Sequence, residues 1–328
     1  MKCTNRMRLL CTLCVAAIFL NGCVFGKSET VEDPYQVYTY NNGGYKDCKS
    51  TSSAQFFAQD LCVTNNVDYG TDQVASHVAE GAGVFNLDTK EVLYSQNLFG
   101  KLNPASTTKI LTAEIIIRYG NLDDMVTVSA NAVDLPDDSA LCHLSEGDVI
   151  SVRQLLNGLL LVSGNDAAIA LAEYYSGSVE AFAEVMNEEA KRIGATNSHF
   201  MNPHGLTDEM HYTTIYDMHL IMQEAIELQE FTDIIAKKDV EVTFQNKNGE
   251  PVTKLWTSTN KYITGGQEMP SGVQVLGGKT GTTFAAGYCL VLYAVNEQNE
   301  RIISIVYKAD CRNNLYLLQD QILSTFAN

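Results

Sequence analysis

The stretch "NPASTTKILTAEIIIRYG" (103–120) most constrains what this chain can fold into. Pro104 suits the start of a helix, and Gly120 is a natural stop. From Ile110 to Tyr119 the segment is apolar on most sides, which marks a helix buried in a core. Its first turn is nevertheless polar. Ser106 and Lys109 stand at i and i+3 and share a face. A lysine near the positive end of a buried helix is electrostatically unfavourable. A capped helix with a solvated lysine and a nucleophile beside its base are both open readings.

The flanking pattern says what covers that helix. "GAGVF", the turn "NLDTKE" and "VLYSQN" read as a hairpin. From about 129 to 228 the periodicity is helical, with starts at Ser151, at Asn165 or Asp166, at Ser178 and after Thr214, and a stop at Gly194. After about 237 strands return: "VEVTF" and "PVTKLW" about Asn248-Gly249, then "YCLVLYAV" and "RIISIVYKA" about "NEQNE". A helix from about 313 to 326 closes the pattern. The expected fold is α/β (α+β): a mainly antiparallel sheet from about 76–128 and 236–328, flanked by helices, with an inserted helical subdomain over about 129–235. A cleft between the two parts is a common place for a site.

The 328 residues include 45% hydrophobic ones, enough for a full core. Lys2, Arg6 and Arg8 precede "LLCTLCVAAIFL", which is of signal-peptide length, so residues 1–22 read as a signal peptide. "LNGC" then ends at Cys23 and resembles a bacterial lipobox, with Asn21 where a small residue is commoner. Lipidation of Cys23 and attachment to the outer face of the cytoplasmic membrane are the expectation; plain secretory cleavage or an uncleaved anchor are alternatives. Cleavage deletes three cations and no anion, taking the formal charge from −17 to −20. So acidic a body disfavours nucleic acid as a partner and leaves the membrane to the N-terminal lipid alone. Residues 23–75, rich in Tyr, Asn, Gly and Ser, read as a tether with one short helix near Phe56.

Nine cysteines suggest a disulfide scaffold, but Cys3, Cys11 and Cys14 belong to the leader. Those left after Cys23 (Cys48, Cys62, Cys142, Cys289 and Cys311) are odd in number and widely spaced, with no CxxC or Cys/His metal spacing. Free thiols are expected, with a Cys48–Cys62 bridge as the alternative, and Cys289 reads as a core thiol.

Three strings carry the chemistry. Ser106-Thr-Thr-Lys109 opens the buried helix, Ser163-Gly-Asn165 links two helices, and Lys279-Thr280-Gly281 follows Gly277 and Gly278 at a strand start. Alone, each is commonplace. In this order, S-x-x-K, S-x-N and K-T-G are the signature of penicillin-binding proteins and class A β-lactamases. With "LLLVSGNDAAIALAEYYSGS", "FMNPHGLTDEMHYTTIYDM" and "GGKTGTTFAAGYCLV", the chain from about 80 to 309 resembles the serine-type D-Ala-D-Ala carboxypeptidases, the low-molecular-mass penicillin-binding proteins of β-lactamase/transpeptidase-like fold.

That resemblance implies the following roles. Ser106 is the nucleophile and Lys109 its base, with a pKa lowered by burial and by the charge of Lys279 and the helix start. Ser163 relays a proton between Lys109 and the leaving nitrogen. Asn165 holds the substrate backbone amide. Lys279 and Thr280, with Thr282, bind the terminal carboxylate or polarise the relay. Glycines 277, 278 and 281 let substrate lie along the strand. The backbone N–H groups of Ser106 and Thr282 form the oxyanion hole. The partners are a peptidoglycan stem peptide ending in D-Ala-D-Ala and acylating β-lactams; no metal or organic cofactor is implied. Thr282 stands where relatives often carry Tyr or His, and the pattern stops near Asn328 without the C-terminal β-domain of many relatives.

Rival readings are weaker. His199, His204 and His211 have no G-x-S-x-G or HExxH beside them and read as structural. Glu114 and Asp166 read as helix-surface or capping residues, and Thr107 and Thr108 have no assigned chemistry. A class A-like β-lactamase needs an E-x-x-L-N string between the second and third motifs, and none is present. A DD-endopeptidase and a non-catalytic penicillin-sensing lipoprotein remain as alternatives.

Overall fold

A computed structural model describes residues 60–136 and 138–328. The expected signal peptide, Cys23, Cys48 and the short helix expected near Phe56 lie outside the described residues.

Strands β1 (Gly81–Asn86) and β2 (Glu91–Gln96) form the expected hairpin, its turn held by Asn86 Oδ1, which accepts from the backbone N–H groups of Asp88 and Thr89. Helix α1 (Lys109–Tyr119) follows a 3-10 turn over Ala105–Thr108, and every side chain from Lys109 to Ile116 is buried. Then come β3 (Met125–Thr127), α2 (Ala130–Val133), β4 (Val149–Ser151), α3 (Val152–Leu160), α4 (Asn165–Ser176), α5 (Val179–Ile193), α6 (Ile215–Ile226) and α7 (Gln229–Ile235). The helix starts are where the sequence puts them. Ser151 forms a capping box with Gln154, Ser178 and Thr214 cap α5 and α6, and Gly194 ends α5 at φ +96°. The chain continues through β5 (Asp239–Gln245), β6 (Pro251–Thr257), α8 (Lys261–Thr264), β7 (Val273–Thr283), β8 (Gly287–Asn296), β9 (Arg301–Ala309) and α9 (Arg312–Phe326).

The main sheet is antiparallel, in the order β2-β1-β9-β8-β7, so the last strand pairs with the first and closes the sheet around the helical insertion. Both faces are covered. Cys289 and Val291 of β8 join the core containing α1, whereas Leu290 and Leu292 join a second core with α9. The first of these cores, to which α3 to α7 also contribute, encloses α1 from Lys109 to Ile116.

Two expectations fail here. The β5–β6 hairpin does not extend the main sheet; it joins β3 and β4 in a separate four-stranded sheet on the helical side. Its burial alternates: Val242, Phe244 and Trp256 enter the helical core while Glu241, Thr243 and Leu255 face solvent. Such one-faced strands suit a sheet with one wet side, whereas β8 and β9 are apolar on both faces. The tether also ends earlier than expected. Tyr69 pairs with Ser95 of the edge strand β2, Ala75 N–H donates to Gln321 Oε1 at 2.7 Å, and Cys62 is a buried free thiol in the core. Residues 60–75 thus cover a sheet edge that would otherwise present unpaired backbone groups.

Candidate active site

The three strings meet at one end of β7. Ala105 is held at φ +48°, a left-handed conformation uncommon outside glycine, and this turns Ser106 out of the chain's path at the head of α1. Thr107 fixes the turn: its hydroxyl donates to the Pro104 carbonyl at 2.7 Å and bonds to the Tyr307 hydroxyl on β9. Thr108 Oγ1 lies 2.9 Å from His211 Nε2. Both threonines, given no role by the sequence, therefore anchor the turn. From the other side Gly205 (φ +85°) packs so closely that a Cβ there would lie 1.8 Å from the Ala105 carbonyl oxygen.

Lys109 is fully buried. Its Nζ lies 3.0 Å from Ser106 Oγ, 2.7 Å from Asn165 Oδ1 and 2.7 Å from the His204 carbonyl oxygen. Burial, then the charge of Lys279, pushes its pKa well below the usual lysine range, with Cys142 and Asp166 opposing. A neutral amine has two N–H donors and one lone pair. With Asn165 and His204 taking the two donors, the lone pair is left facing the Ser106 hydroxyl.

Ser163 is also left-handed (φ +66°) and buried, and its Oγ accepts from Lys279 Nζ at 3.0 Å. Lys279 also donates to the Thr280 carbonyl at 2.8 Å, and burial lowers its pKa to about 7. Ser163 is thus held by Lys279; no hydrogen bond joins it to Lys109 among the described residues. Thr280 Oγ1 lies 2.6 Å from Thr259 Oγ1, and Thr282 is exposed at the mouth. These residues open onto a cavity of about 270 Å³ lined by Ser106, Ser163, Thr280 and Thr282, and also by Tyr288 and Arg312. Arg312, the first residue of α9, brings an exposed guanidinium to the cavity, and nothing in the three motifs signalled it or Thr259.

The glycines before and within the third motif make room for protein. A Cβ at Gly277 would meet Ile235 of α7 at 2.5 Å, and one at Gly278 the Val291 carbonyl at 2.3 Å. At Gly281 it would lie 3.0 Å from both Ser106 N and Pro104 O. Gly281 is what lets β7 lie directly against the serine turn.

Two acidic residues depart from expectation. Glu114 does not lie on a helix surface: it is fully buried, bonded to Arg118 and 3.8 Å from Arg192, and burial raises its carboxyl to about 7. Asp166 is buried too, accepting from the backbone N–H groups of Cys142 (2.9 Å), Leu144 (3.0 Å) and Ala167 (2.9 Å). It fixes the segment whose Ala140 carbonyl receives the Asn165 N–H at 2.8 Å. The histidines hold loops together. His199 bonds to the Met210 carbonyl, His204 Nδ1 accepts from Leu206 N–H and His211 Nδ1 from Met201 N–H. Burial keeps His204 and His211 neutral, at about 3 and about 4. Cys289 is buried, with its thiol pushed up to about 12.

A family profile describing D-alanyl-D-alanine carboxypeptidases matches residues 69–311. The chain belongs to that family. Among curated relatives, the carboxypeptidase DacF of Bacillus subtilis is 35% identical over 240 residues, covering 71% of this chain and 58% of that protein. DacC of Escherichia coli is 37% identical over 231 residues (67% and 54%), and the carboxypeptidase of Streptomyces sp. K15 is 32% identical over 239 residues (70% and 80%). The chain thus spans little more than half the length of the first two. The crystal structure of the Streptomyces K15 DD-transpeptidase superposes with a TM-score of 0.70 at 30% identity, covering 75% of this chain and 95% of that one. The fold is that of the DD-peptidases.

Proposed function

We propose that this member of the family is a serine D-Ala-D-Ala carboxypeptidase that removes the terminal D-alanine from peptidoglycan stem pentapeptides through an acyl-enzyme on Ser106. The observation that carries the reading is the disposition of Lys109, whose neighbours occupy both donors of the neutral amine and aim its lone pair at Ser106 Oγ. A serine hydroxyl is a weak nucleophile until a base takes its proton. Lys109 takes that proton as Oγ attacks the carbonyl of the penultimate D-alanine. Charge developing on the carbonyl oxygen is met by the backbone N–H groups of Ser106 and Thr282, which the close approach at Gly281 brings together.

As the tetrahedral adduct collapses, the leaving nitrogen takes a proton from Ser163, whose hydroxyl is replenished from Lys279. The terminal carboxylate lies by Thr280 with Arg312 as its counter-charge, while Asn165 offers its Nδ2 to the substrate backbone. Water then hydrolyses the ester by the same steps in reverse. β-Lactams acylate the same serine and leave slowly. Export and a lipid anchor on Cys23 place the site outside the cytoplasmic membrane, on the support of the basic start, apolar run and "LNGC". Among the described residues no helix is long and apolar enough to cross a membrane.

The test is D-alanine release from an acetylated pentapeptide by the full chain beside its Ser106→Ala variant. Release by the wild type alone supports the proposal. Equal release by both sinks it.

A further inference from the structure

The loop between α5 and α6 folds back on itself at the bridge between His199 and Tyr212 and lies along the head of α1. Three side chains there hold it. Thr108 Oγ1 lies 2.9 Å from His211 Nε2, Lys109 Nζ donates to the His204 carbonyl at 2.7 Å, and Thr112 Oγ1 donates to the Pro203 carbonyl at 2.7 Å. A Cβ on Gly205 would come within 2.8 Å of Thr108 Oγ1, so little room separates loop and helix. The carbonyl that aims the base thus belongs to a loop fastened, on either side of Lys109, by groups with no part in the chemistry. Of the three bonds only that of His211 uses a side chain of the loop.

The His211 ring is buried, and both its nitrogens are committed. Nδ1 accepts from Met201 N–H at 3.1 Å, so the neutral ring carries its proton on Nε2 and donates it to Thr108 Oγ1. Phe200 meets the ring edge-on, with centroids 5.5 Å apart, and the His211 carbonyl accepts from Asn103 Nδ2 at 3.1 Å. The imidazole therefore spans from Met201 to Thr108, the residue that precedes the base.

We infer that His211 is a positioning residue for the acylation step: acting through Thr108, it seats the loop that carries the His204 carbonyl and so keeps the Lys109 amine turned toward Ser106. The inference rests on Lys109 being the base in the reaction proposed above. With the seat lost, the carbonyl shifts, the amine turns with it, and the lone pair leaves Ser106 Oγ. A misplacement of about 1 Å can cost on the order of 10²-fold in rate.

The experiment is a double-mutant cycle on the full-length protein. His211→Leu, Thr108→Val and the double variant are compared with wild type for acylation by a chromogenic β-lactam and for kcat and KM in D-alanine release, with Tm to establish folding. Each single variant should lower acylation and kcat by roughly tenfold while KM stays within about twofold. The double variant should fall no more than about twofold below the singles, because both remove the same bond. His211→Gln, whose amide N–H reaches about as far as Nε2, should recover most of the loss. His199→Ala, in the same loop but bonded through its side chain to the Met210 carbonyl, should stay within about twofold of wild type. Should His211→Leu not fold, Thr108→Val and Thr108→Ser decide: loss with valine and recovery with serine, which keeps the hydroxyl, support the inference. Single losses that multiply in the double variant, a lowered Tm with kcat unmoved, or an equal loss in His199→Ala overturn it and leave the proposed activity standing. A wild type that neither acylates nor releases D-alanine overturns the activity and the inference together.

Discussion

Lys109 Nζ and Asn165 Oδ1 are 2.7 Å apart, joining the first turn of α1 to the start of α4 across 56 residues of chain. The contact makes the base a shared product of two elements: α1 supplies the amine, and α4 fixes its direction. The same amine meets the His204 carbonyl from a third segment, so its orientation toward Ser106 is set before any substrate arrives.

Lys109→Ala removes the base and leaves Asn165 Oδ1 and the His204 carbonyl without the donor they share. General-base loss typically costs a factor of about 10² to 10⁴, and both penicillin labelling and D-alanine release should fall within that range. Stopped-flow acylation with a chromogenic β-lactam measures it; near-normal labelling would rule out Lys109 as the base.

The two lysines predict a bell-shaped pH profile for kcat/KM. Lys109 must be neutral to accept a proton, so activity rises as it loses its own, well below the ordinary lysine range. Lys279 serves Ser163 best as a cation, and its lowered value of about 7 places the falling limb near neutrality, with the two limbs belonging to the coupled pair. Lys279→Arg keeps a charge at all working pH and should move the falling limb upward by more than one pH unit. An unmoved limb would assign it to another group.

Gly281→Ala tests the approach of β7 to the serine turn. Its Cβ would press on Ser106 N and Pro104 O, both backbone atoms at 3.0 Å, so the strand or the turn must shift by a few tenths of an ångström. Misplacement on that scale should lower acylation by about tenfold or more. Circular dichroism and Tm should show a folded protein; full activity would mean that the oxyanion site lies elsewhere.

Two buried carboxylates predict stability. Asp166→Ala strips acceptors from the Cys142 and Leu144 amides and should cost about 3 kcal/mol in urea unfolding. Glu114 has a folded pKa near 7, above its ordinary 4.5, so the folded state holds its proton more tightly. The stability this adds is complete below about pH 4.5 and is lost as pH rises through about 7. Glu114→Gln keeps a neutral side chain, so relative to wild type it should gain on the order of 2 kcal/mol between pH 5 and 8. Parallel stability curves would contradict the shift.

Much of this was legible in the sequence for physical reasons. Helix caps are local chemistry, so Ser151, Ser178, Thr214 and Gly194 could be placed from neighbours alone. The apolar run of α1 implied a helix buried in a core, and its side chains are buried from Lys109 to Ile116. What escaped depends on long-range packing. Whether Glu114 faces solvent is decided by α5 and α6, which bring Arg192 and Glu224 to the same place. The β5–β6 hairpin left a readable trace in its one-faced alternation, yet its pairing with β4 is set by a contact 96 residues away, Val149 with Gln245. Arg312 reaches the cavity only because β9 delivers α9 there, and Gly277 and Gly278 serve Ile235 and Val291, positions no local rule connects.

The most direct test of the Ser106 acyl-enzyme is intact-protein mass spectrometry of the full chain mixed with penicillin G, with peptide mapping and Ser106→Ala in parallel. The account predicts one stable adduct of the drug's mass, mapped to the peptide containing Ser106 and missing from the variant. An adduct that persists in Ser106→Ala, or an unmodified wild type with the drug left intact, would contradict it.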